Sequence, residues 1–333
     1  MRLVTFKKGT AKPRVGAESG PGRIVDLQAA QEAVRGRSSP SLESMQSLIE
    51  AGGQALDQVR RLLEIAPDAA CVAVEDCRLL APLPVPAQLR DFLAFEQHFK
   101  QAFDAALRMR AQRKPDPEAA LAELRSKGGW EIPAVWYQQP IYYKANRFAI
   151  SGPGDDVIWP AYSDVMDYEL ELAAVIGCKG IDICEERAAS HIFGYTIFND
   201  FSARDAQALE MAGRLGPAKG KDFDGANAFG PCIVTRDAIG DPYALEMVAR
   251  VNGEEWSRNN TATMDWRFEQ CIAHVSRGET LYPGEVFGSG TVGGGCGLEQ
   301  SRFLQHGDVV ELEVERIGVL QNRVLRHAVS GEV

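Results

Sequence analysis

The 333-residue sequence predicts an α+β fold, in which a small N-terminal α/β domain precedes a larger and predominantly β domain. Strand and helix patterns alternate over residues 1–80, whereas the patterns after residue 130 are mainly those of strands. A stretch with three alternate prolines, at 82–86, favours extended backbone and blocks a helix, which is typical of a linker. We therefore expect domains at 1–80 and 85–330.

The composition is that of a soluble globular protein, with 45% hydrophobic and 25% charged residues. Asp and Glu outnumber Lys and Arg by 46 to 36, and the resulting charge of −10 argues against nucleic acid or an anionic membrane as partner. The N-terminus shows no apolar stretch long enough for a signal peptide or membrane span, which predicts a cytoplasmic location. Seven scattered cysteines without a C-x-x-C pair indicate reduced thiols, neither a disulfide framework nor a zinc site.

The N-terminal domain is expected to contain strands at 2–6 and 23–27, with a Gly-rich turn region between them, and a helix at about 41–64. No residue in this part points to a chemical role. It is followed, after the linker, by a stretch from about 88 to 113 in which aromatic residues recur at helical spacing.

Asp91 and His98 lie seven residues apart within that stretch. If it is a helix, they share one face about 10 Å apart, which fits an ion near Asp91 and a substrate between the two. His98 could equally be a hydrogen-bonded surface or core histidine. The following charged segment, 114–130, is expected to be an exposed helical excursion or a mobile flap.

An acidic strand is predicted at 167–177, because polar and apolar residues alternate through its first half. Asp167, Glu169 and Glu171 then project from the same face, with Glu169 and Glu171 two residues apart. Two such carboxylates repel each other unless solvent or a cation separates them, and Mg²⁺ prefers oxygen ligands of this kind. The alternative is a half-exposed strand with a solvated acidic face.

An apolar strand at 191–200 ends on Asp200, which is a natural place for a third metal ligand, with Arg204 near enough to receive an anion. Alternatively, Asp200 or Ser202 caps the helix that follows. A Gly-rich loop at 213–231 carries Lys219 and Lys221; such a loop can aim a lysine at a developing negative charge, or can be a flexible surface loop.

The C-terminal part is expected to contain a strand and hairpin at 241–256, a helix at 264–275 and a closing strand at 309–314. The Gly-rich turn at 284–297 is not a dinucleotide-binding fingerprint, since no helical pattern follows directly and no acidic residue follows about 20 positions on.

Four segments, taken together and in order, resemble the fumarylacetoacetate hydrolase superfamily: 91–98, the Glu-x-Glu of 169–171, 199–205 and 220–223. A weaker fifth is the Gly-Ser-Gly-Thr of 288–291. The resemblance implies a β-rich roll of mixed sheets with peripheral helices for the large domain, and a homodimer.

The resemblance also implies a site. It makes Asp91, Glu169, Glu171 and Asp200 the ligands of Mg²⁺, Ca²⁺ or Mn²⁺. It makes His98 a general base, oriented by Glu299. It further suggests groups that bind the substrate or stabilise a carbanion: Arg204, Gln207, Lys221, Thr291 and Tyr142.

The activity that the resemblance implies is metal-dependent hydrolysis of a C–C bond in a β-diketone or acylpyruvate, similar to fumarylacetoacetate or fumarylpyruvate, as in aromatic catabolism. In this scheme His98 activates water and Lys221 helps to hold the departing enolate. The same metal site would also suit a decarboxylase or a hydratase/isomerase of oxo acids, and a protein that binds metal or diketone without turnover is a third possibility.

Overall fold

The computed structural model describes residues 1–112, 114–128 and 131–326. Its strands form a 12-stranded sheet, a five-stranded sheet and a two-stranded ribbon. Helices lie around these sheets, so the predicted α+β class is confirmed.

The strands are β1 (Arg2–Lys7), β2 (Arg14–Gly20), β3 (Arg23–Asp26), β4 (Cys71–Ala73), β5 (Arg78–Leu80), β6 (Gln88–Phe92), β7 (Tyr142–Lys144), β8 (Ile150–Ser151), β9 (Asp156–Trp159), β10 (Met166–Asp167), β11 (Leu170–Ile176), β12 (Ile192–Asp200), β13 (Ser202–Ala203), β14 (Asn227–Thr235), β15 (Glu246–Val251), β16 (Glu254–Asn260), β17 (Glu285–Gly288), β18 (Val309–Val314) and β19 (Gly318–Arg326). The helices are α1 (Leu27–Arg35), α2 (Met45–Ile65), α3 (Glu96–Gln112), α4 (Pro117–Ser126), α5 (Glu185–Ala188), α6 (Arg204–Met211), α7 (Ala218–Lys221), α8 (Arg236–Ile239), α9 (Phe268–Val275) and α10 (Gly297–Gln300).

The large sheet joins the N-terminal strands to those of the site. Its order is β4-β3-β2-β1-β14-β12-β11-β17-β6-β7, with β5 on β1 and β8 on β14. β1 pairs antiparallel with β14, with Leu3 opposite Ile233, so residues 1–80 extend the sheet that carries the acidic strand. The division into domains at 80 and 85 stays a prediction.

β11 lies inside the large sheet and is buried along its whole length. Ala173 and Val175 face one hydrophobic cluster, which the N-terminal helices α1 and α2 help to form. Leu170 and Leu172 face a second cluster, which includes β18 and α9. Burying each of these leucines stabilises the fold by about 1.5–3 kcal/mol. The interpretation of a half-exposed strand with a solvated face is therefore wrong.

The stretch 88–113 is not one helix. Gln88–Phe92 is a strand between β17 and β7, with Leu89 opposite Val286, and α3 begins only at Glu96. Sheet pairing on both sides satisfies the backbone of 88–92 and outweighs the aromatic periodicity. Asp91 and His98 consequently lie on different elements, and the expected helical spacing between them is wrong.

Several other predictions can be compared with the structure. Within the segment 114–130, Pro117–Ser126 forms the helix α4, which has no buried residue and is tied to α3 by an Arg125–Asp104 ion pair of 2.6 Å, while positions 129 and 130 lie outside the described residues. The region between the first two predicted strands, which was expected to be a turn, contains the strand β2. The strand predicted to close the chain is followed by a further strand, β19. No helix in the described parts of the chain is long and apolar enough to cross a membrane.

Candidate metal centre and acid–base pair

Four buried carboxylates meet at one end of the large sheet: Asp91, Glu169, Glu171 and Asp200, each offering one oxygen within 4.8 Å of the others. Asp91 comes from β6, Glu171 from β11 and Asp200 from the last position of β12, while Glu169 directly precedes β11. The antiparallel pairing of β11 with β12 and the position of β17 between β11 and β6 bring these strand ends together. The structure thus assembles all four predicted metal ligands.

The turn after β17 supports two of these carboxylates through its backbone. The N–H of Gly290 donates to Asp91 Oδ1 at 3.2 Å and to Glu171 Oε2 at 3.0 Å. A Cβ at Gly288 would lie 2.6 Å from Asp91 Oδ1 and 2.9 Å from Glu171 Oε2. A side chain at Gly288 would therefore displace the carboxylates, and one at Gly290 would displace the backbone of Phe92.

Two cationic side chains contact the cluster. Lys221 Nζ lies 2.7 Å from Glu169 Oε2 and 2.6 Å from Asp200 Oδ2, and Arg204 Nη1 lies 2.6 Å from Glu169 Oε1. Burial opposes the charge of Lys221, but Asp200 and Glu169 outweigh it and raise the lysine pKa. Burial likewise opposes the charge of Glu169, but Lys221, Arg204 and then His98 lower its pKa below the usual range. Glu169 is therefore ionised.

The other three carboxyl groups lie in surroundings that disfavour their ionised forms. Burial, followed by the charges of the neighbouring carboxylates, raises the pKa of Glu171 well above its usual range; burial and then Asp200 do the same for Asp91. Burial is also the main reason why the pKa of Asp200 rises to about 6. A cation between these groups would favour their ionised forms.

The residues present fit a divalent cation. Glu171 Oε1 and Asp200 Oδ1 are buried and have no hydrogen-bond partner among the described residues. Buried acceptors of this kind are normally satisfied, and a set of carboxylate oxygens suits hard ions such as Mg²⁺, Mn²⁺ or Ca²⁺. The acidic cluster is thus a candidate metal-binding site.

An acid–base pair lies next to this cluster. His98, in the first turn of α3, places Nδ1 3.1 Å from Glu299 Oε1 in α10. Glu299 Oε2 accepts the N–H of Cys296 at 3.2 Å, which fixes the carboxylate at the start of α10. Cys296 in turn forms an antiparallel bridge with Glu169, so the turn that carries Glu299 adjoins the acidic cluster. The structure brings His98 and Glu299 together as the sequence predicts.

Three of the candidate substrate groups, Arg204, Gln207 and Thr291, have side-chain atoms that bear on the binding of a substrate. Arg204 Nη1 donates to Gln207 Oε1 at 3.0 Å, while Arg204 Nη2 and Thr291 Oγ1 are buried and lack a partner among the described residues. Each of these two buried donors is available for a ligand such as a carboxylate.

The tyrosine of the cluster is Tyr143, where the sequence analysis expected Tyr142. On β7, Tyr143 pairs with Asp91 and its hydroxyl donates to Asp200 Oδ2 at 2.7 Å. Tyr142 pairs with Phe92 and packs against its ring on the opposite face of the sheet, because successive side chains of a strand alternate. Tyr142 is therefore turned away from the carboxylates.

Asp167 is a residue of the site to which the sequence analysis gave no role. Its buried carboxylate accepts four hydrogen bonds, from the N–H groups of Tyr168, Gly297 and Leu298 and from Arg204 Nε, all between 2.8 and 2.9 Å. Burial raises the pKa of Asp167, whereas Arg204 and the Leu298 N–H oppose this rise. Because all four partners are obligate donors, the carboxylate is ionised.

The capping interpretation of Asp200 and Ser202 is wrong. Ala203 precedes α6 and makes no side-chain cap, while the Ser202 hydroxyl donates to the Asp200 carbonyl at 3.0 Å. The Asp200 carboxylate points into the cluster instead, towards Lys221 and Tyr143. Lys221 itself is buried in α7, so this part of the Gly-rich loop is ordered structure and not a flexible surface loop.

Fold and geometry together define an α+β protein with a buried carboxylate cluster and an adjoining His–Glu pair at the end of a mixed sheet. The chain belongs to the fumarylacetoacetate hydrolase family, whose C-terminal domain model matches residues 91–325. The predicted family resemblance is confirmed.

Similar proteins carry several activities. Oxaloacetate tautomerase FAHD2A, mitochondrial, from Bos taurus is 34% identical over 98% of this chain and 92% of its own length. Fumarylacetoacetate hydrolase from Exiguobacterium antarcticum has 29% identity and a TM-score of 0.72 over 98% of this chain and 100% of its own. 5-Carboxymethyl-2-hydroxymuconate delta-isomerase from Mycobacterium smegmatis has 25% identity and a TM-score of 0.67 over 98% and 100%. The family is thus one of enzymes, and the cytoplasmic location stays a prediction beside a mitochondrial relative.

Proposed function

We propose that this protein is a metal-dependent enzyme of 2-oxo acids and that it interconverts the enol and keto forms of an oxaloacetate-type dicarboxylic acid. The observation that carries the proposal is the His98–Glu299 pair beside the acidic cluster, because moving a proton between carbon and oxygen requires a base of this type next to an electrophile. The similarity to an oxaloacetate tautomerase over 98% of the chain supports the choice of reaction.

We assign the cation, Mg²⁺ or Mn²⁺, to Asp91, Glu169, Glu171 and Asp200. When bound, it would polarise the carbonyl groups of the oxo acid and stabilise an enolate. The pairing of Lys221 with two of these carboxylates keeps positive charge beside the position at which enolate charge develops.

His98 is assigned the proton transfer. Glu299 accepts the Nδ1–H, so Nε2 carries the lone pair that takes the enol proton, and Glu299 stabilises the imidazolium that results. The imidazolium then returns the proton to the substrate carbon, so no proton is gained or lost overall. Since the carboxylate is fixed by the Cys296 N–H, the imidazole is held in one tautomer.

Recognition of a carboxylate is assigned to the two buried donors without partners, Arg204 Nη2 and Thr291 Oγ1. Asp167 holds Arg204 Nε, and Gln207 accepts from Nη1, so the guanidinium plane is fixed before a substrate arrives. The two N–H groups of Nη2 are those that would donate to the substrate.

Hydrolysis of a C–C bond in an acylpyruvate is the second candidate. It is favoured by the same His98–Glu299 pair, which could deprotonate water instead of the substrate, and by the similarity to a fumarylacetoacetate hydrolase. Both reactions pass through an enolate, so the metal ligands would have the same task in each. Decarboxylation and isomerisation are further reactions of an enolate at such a site.

Product analysis distinguishes these reactions. We expect the protein to speed the decay of the oxaloacetate enol absorbance with Mg²⁺, to lose this activity with chelator, and to release no CO₂. Appearance of two acids from acylpyruvates would identify hydrolysis instead, and CO₂ from oxaloacetate would identify decarboxylation. The variants His98→Gln and Glu171→Gln should both lose the tautomerase activity. The control variant His191→Gln, which is substituted outside the site, should keep it. Metal-independent activity, or full activity of His98→Gln, would refute the proposal.

A further inference from the structure

A second group of metal-binding atoms lies beside the acidic cluster. It consists of His98, Cys296 and Glu299, whose ligand atoms all lie within 4.8 Å of one another. The His98 Nδ1 to Glu299 Oε1 distance is 3.1 Å, and the Cys296 thiol donates to Glu299 Oε2 at 3.4 Å. Imidazole, thiol and carboxylate therefore converge at one point.

These separations match a tetrahedral zinc site. Bonds of about 2.0–2.3 Å to nitrogen, oxygen and sulfur place neighbouring ligand atoms roughly 3.3–3.6 Å apart. The 3.4 Å between Cys296 Sγ and Glu299 Oε2 lies in this range, and His98 Nδ1 is 3.1 Å from the other carboxylate oxygen, Oε1. Three protein ligands and one open position are also the usual composition of an accessible zinc site. His98 retains 7% exposure, so the group is not sealed within the core.

Capping of α10 does not require sulfur at this position. Cys296 takes part in the capping box at the start of α10, but serine, threonine or an acidic residue would be the stronger cap there. A thiolate is instead a soft ligand that suits Zn²⁺ and not Mg²⁺. The spacing of the cysteines along the sequence could not reveal the group, because its members come from positions 98, 296 and 299.

We propose that His98, Cys296 and Glu299 form a Zn²⁺ site distinct from the carboxylate cluster, and that zinc bound there inhibits the enzyme. Binding releases the thiol proton to solvent, moves the imidazole proton from Nδ1 to Nε2 by exchange with solvent, and forms bonds from the metal to Sγ, Nδ1 and one carboxylate oxygen; nothing is oxidised or reduced. The zinc ion takes Nδ1 away from Glu299, so the imidazole can no longer be oriented or stabilised as imidazolium. The binding is independent of the proposed function, whereas the inhibition rests on it.

Cobalt reports the binding directly. Co²⁺ is added to the Mg²⁺-loaded protein, and the near-ultraviolet charge-transfer absorption from thiolate to cobalt is recorded. We expect this absorption in the native protein, in Glu171→Gln and in Cys178→Ser, which lacks an exposed thiol elsewhere. We expect it to be lost in Cys296→Ser, where a hydroxyl preserves the cap. Absence of the band from the native protein, or its persistence in Cys296→Ser, would overturn the site.

Inhibition is measured in saturating Mg²⁺ with increasing Zn²⁺, each variant being scaled to its own rate without zinc. Cys296→Ser should need about 100-fold more zinc than the native protein for half inhibition, since it lacks the soft ligand. Equal sensitivity of Cys296→Ser and native protein would overturn the inhibitory role. If no oxo acid is turned over, the cobalt band still decides whether the site exists.

Discussion

Replacing Asp167 by asparagine tests how Arg204 and the His98–Glu299 pair are held in place. Asp167 Oδ1 accepts the N–H groups of Tyr168 and Gly297, and Oδ2 accepts the Leu298 N–H and Arg204 Nε. An asparagine side chain has one accepting oxygen and one NH₂ group. Whichever way it is turned, its NH₂ group therefore meets two donors.

The expected loss follows from this geometry. Two buried donors left unsatisfied cost about 1–3 kcal/mol each, and removing one partner of a buried ion pair costs about 3–5 kcal/mol. The two estimates partly count the same lost contacts, and Arg204 keeps its contact with Glu169. We therefore expect the free energy of unfolding to fall by about 3 kcal/mol, the lower end of the ion-pair range. This is a large share of a total stability of about 5–15 kcal/mol.

The assay is urea unfolding of native protein, Asp167→Asn and a matched control, Asp156→Asn. Asp156 likewise pairs with an arginine, Arg323, and accepts two of its N–H groups at 2.9 Å. This pair is exposed and should contribute little to the free energy of unfolding. Activity of folded Asp167→Asn should also fall, because Leu298 directly precedes Glu299 and shifts with its lost hydrogen bond. If Asp167→Asn is no less stable than Asp156→Asn, the proposed network does not hold the site together.

Three further predictions concern the acidic cluster. Mg²⁺ at 100 times its dissociation constant should stabilise the native protein by about 2.7 kcal/mol, and Glu171→Gln should lose most of this gain in a thermal shift measurement. Tyr143→Phe should cost about 1–3 kcal/mol in urea, because it removes a buried donor to a carboxylate, whereas Tyr142→Phe should stay within about 0.5 kcal/mol; equal losses would contradict the assignment of faces. Gly290→Ala should lose about 1–3 kcal/mol and bind Mg²⁺ more weakly by calorimetry, since its Cβ would lie 2.2 Å from the Phe92 carbonyl oxygen at φ +75°; unchanged affinity would contradict the role of this turn.

The parts of the site that the sequence predicts are those governed by local pattern. The carboxylate at the end of β12 follows an apolar run, and the Glu-x-Glu spacing places both side chains on one face of a strand. Family resemblance supplied the pairing of Asp91 with this strand and of His98 with Glu299. Geometry then agrees with each of these placements.

The parts that the sequence does not predict depend on partners far along the chain. Whether β11 is half exposed or buried is decided by packing on both of its faces, and part of that packing comes from the N-terminal helices. Tyr142 and Tyr143 differ by one position, and only pairing with β6 decides which one faces the carboxylates. The role of Asp167 depends on donors at 204, 297 and 298, so no local pattern indicates it.

The distribution of charge within the cluster indicates where the cation is needed. Glu169 has both Arg204 and Lys221 as partners, whereas among the described residues no cationic side chain pairs with Asp91 or Glu171. These two are also the carboxyls whose pKa lies well above the usual range, mainly because burial opposes their charge, followed by the charge of Asp200 for Asp91 and that of Asp91 for Glu171. Lys221 and Arg204 therefore neutralise the side of the cluster that Glu169 and Asp200 form. On the other side the fold places Asp91 and Glu171 with a supporting backbone N–H but, among the described residues, no positive charge, and a bound cation would supply that charge.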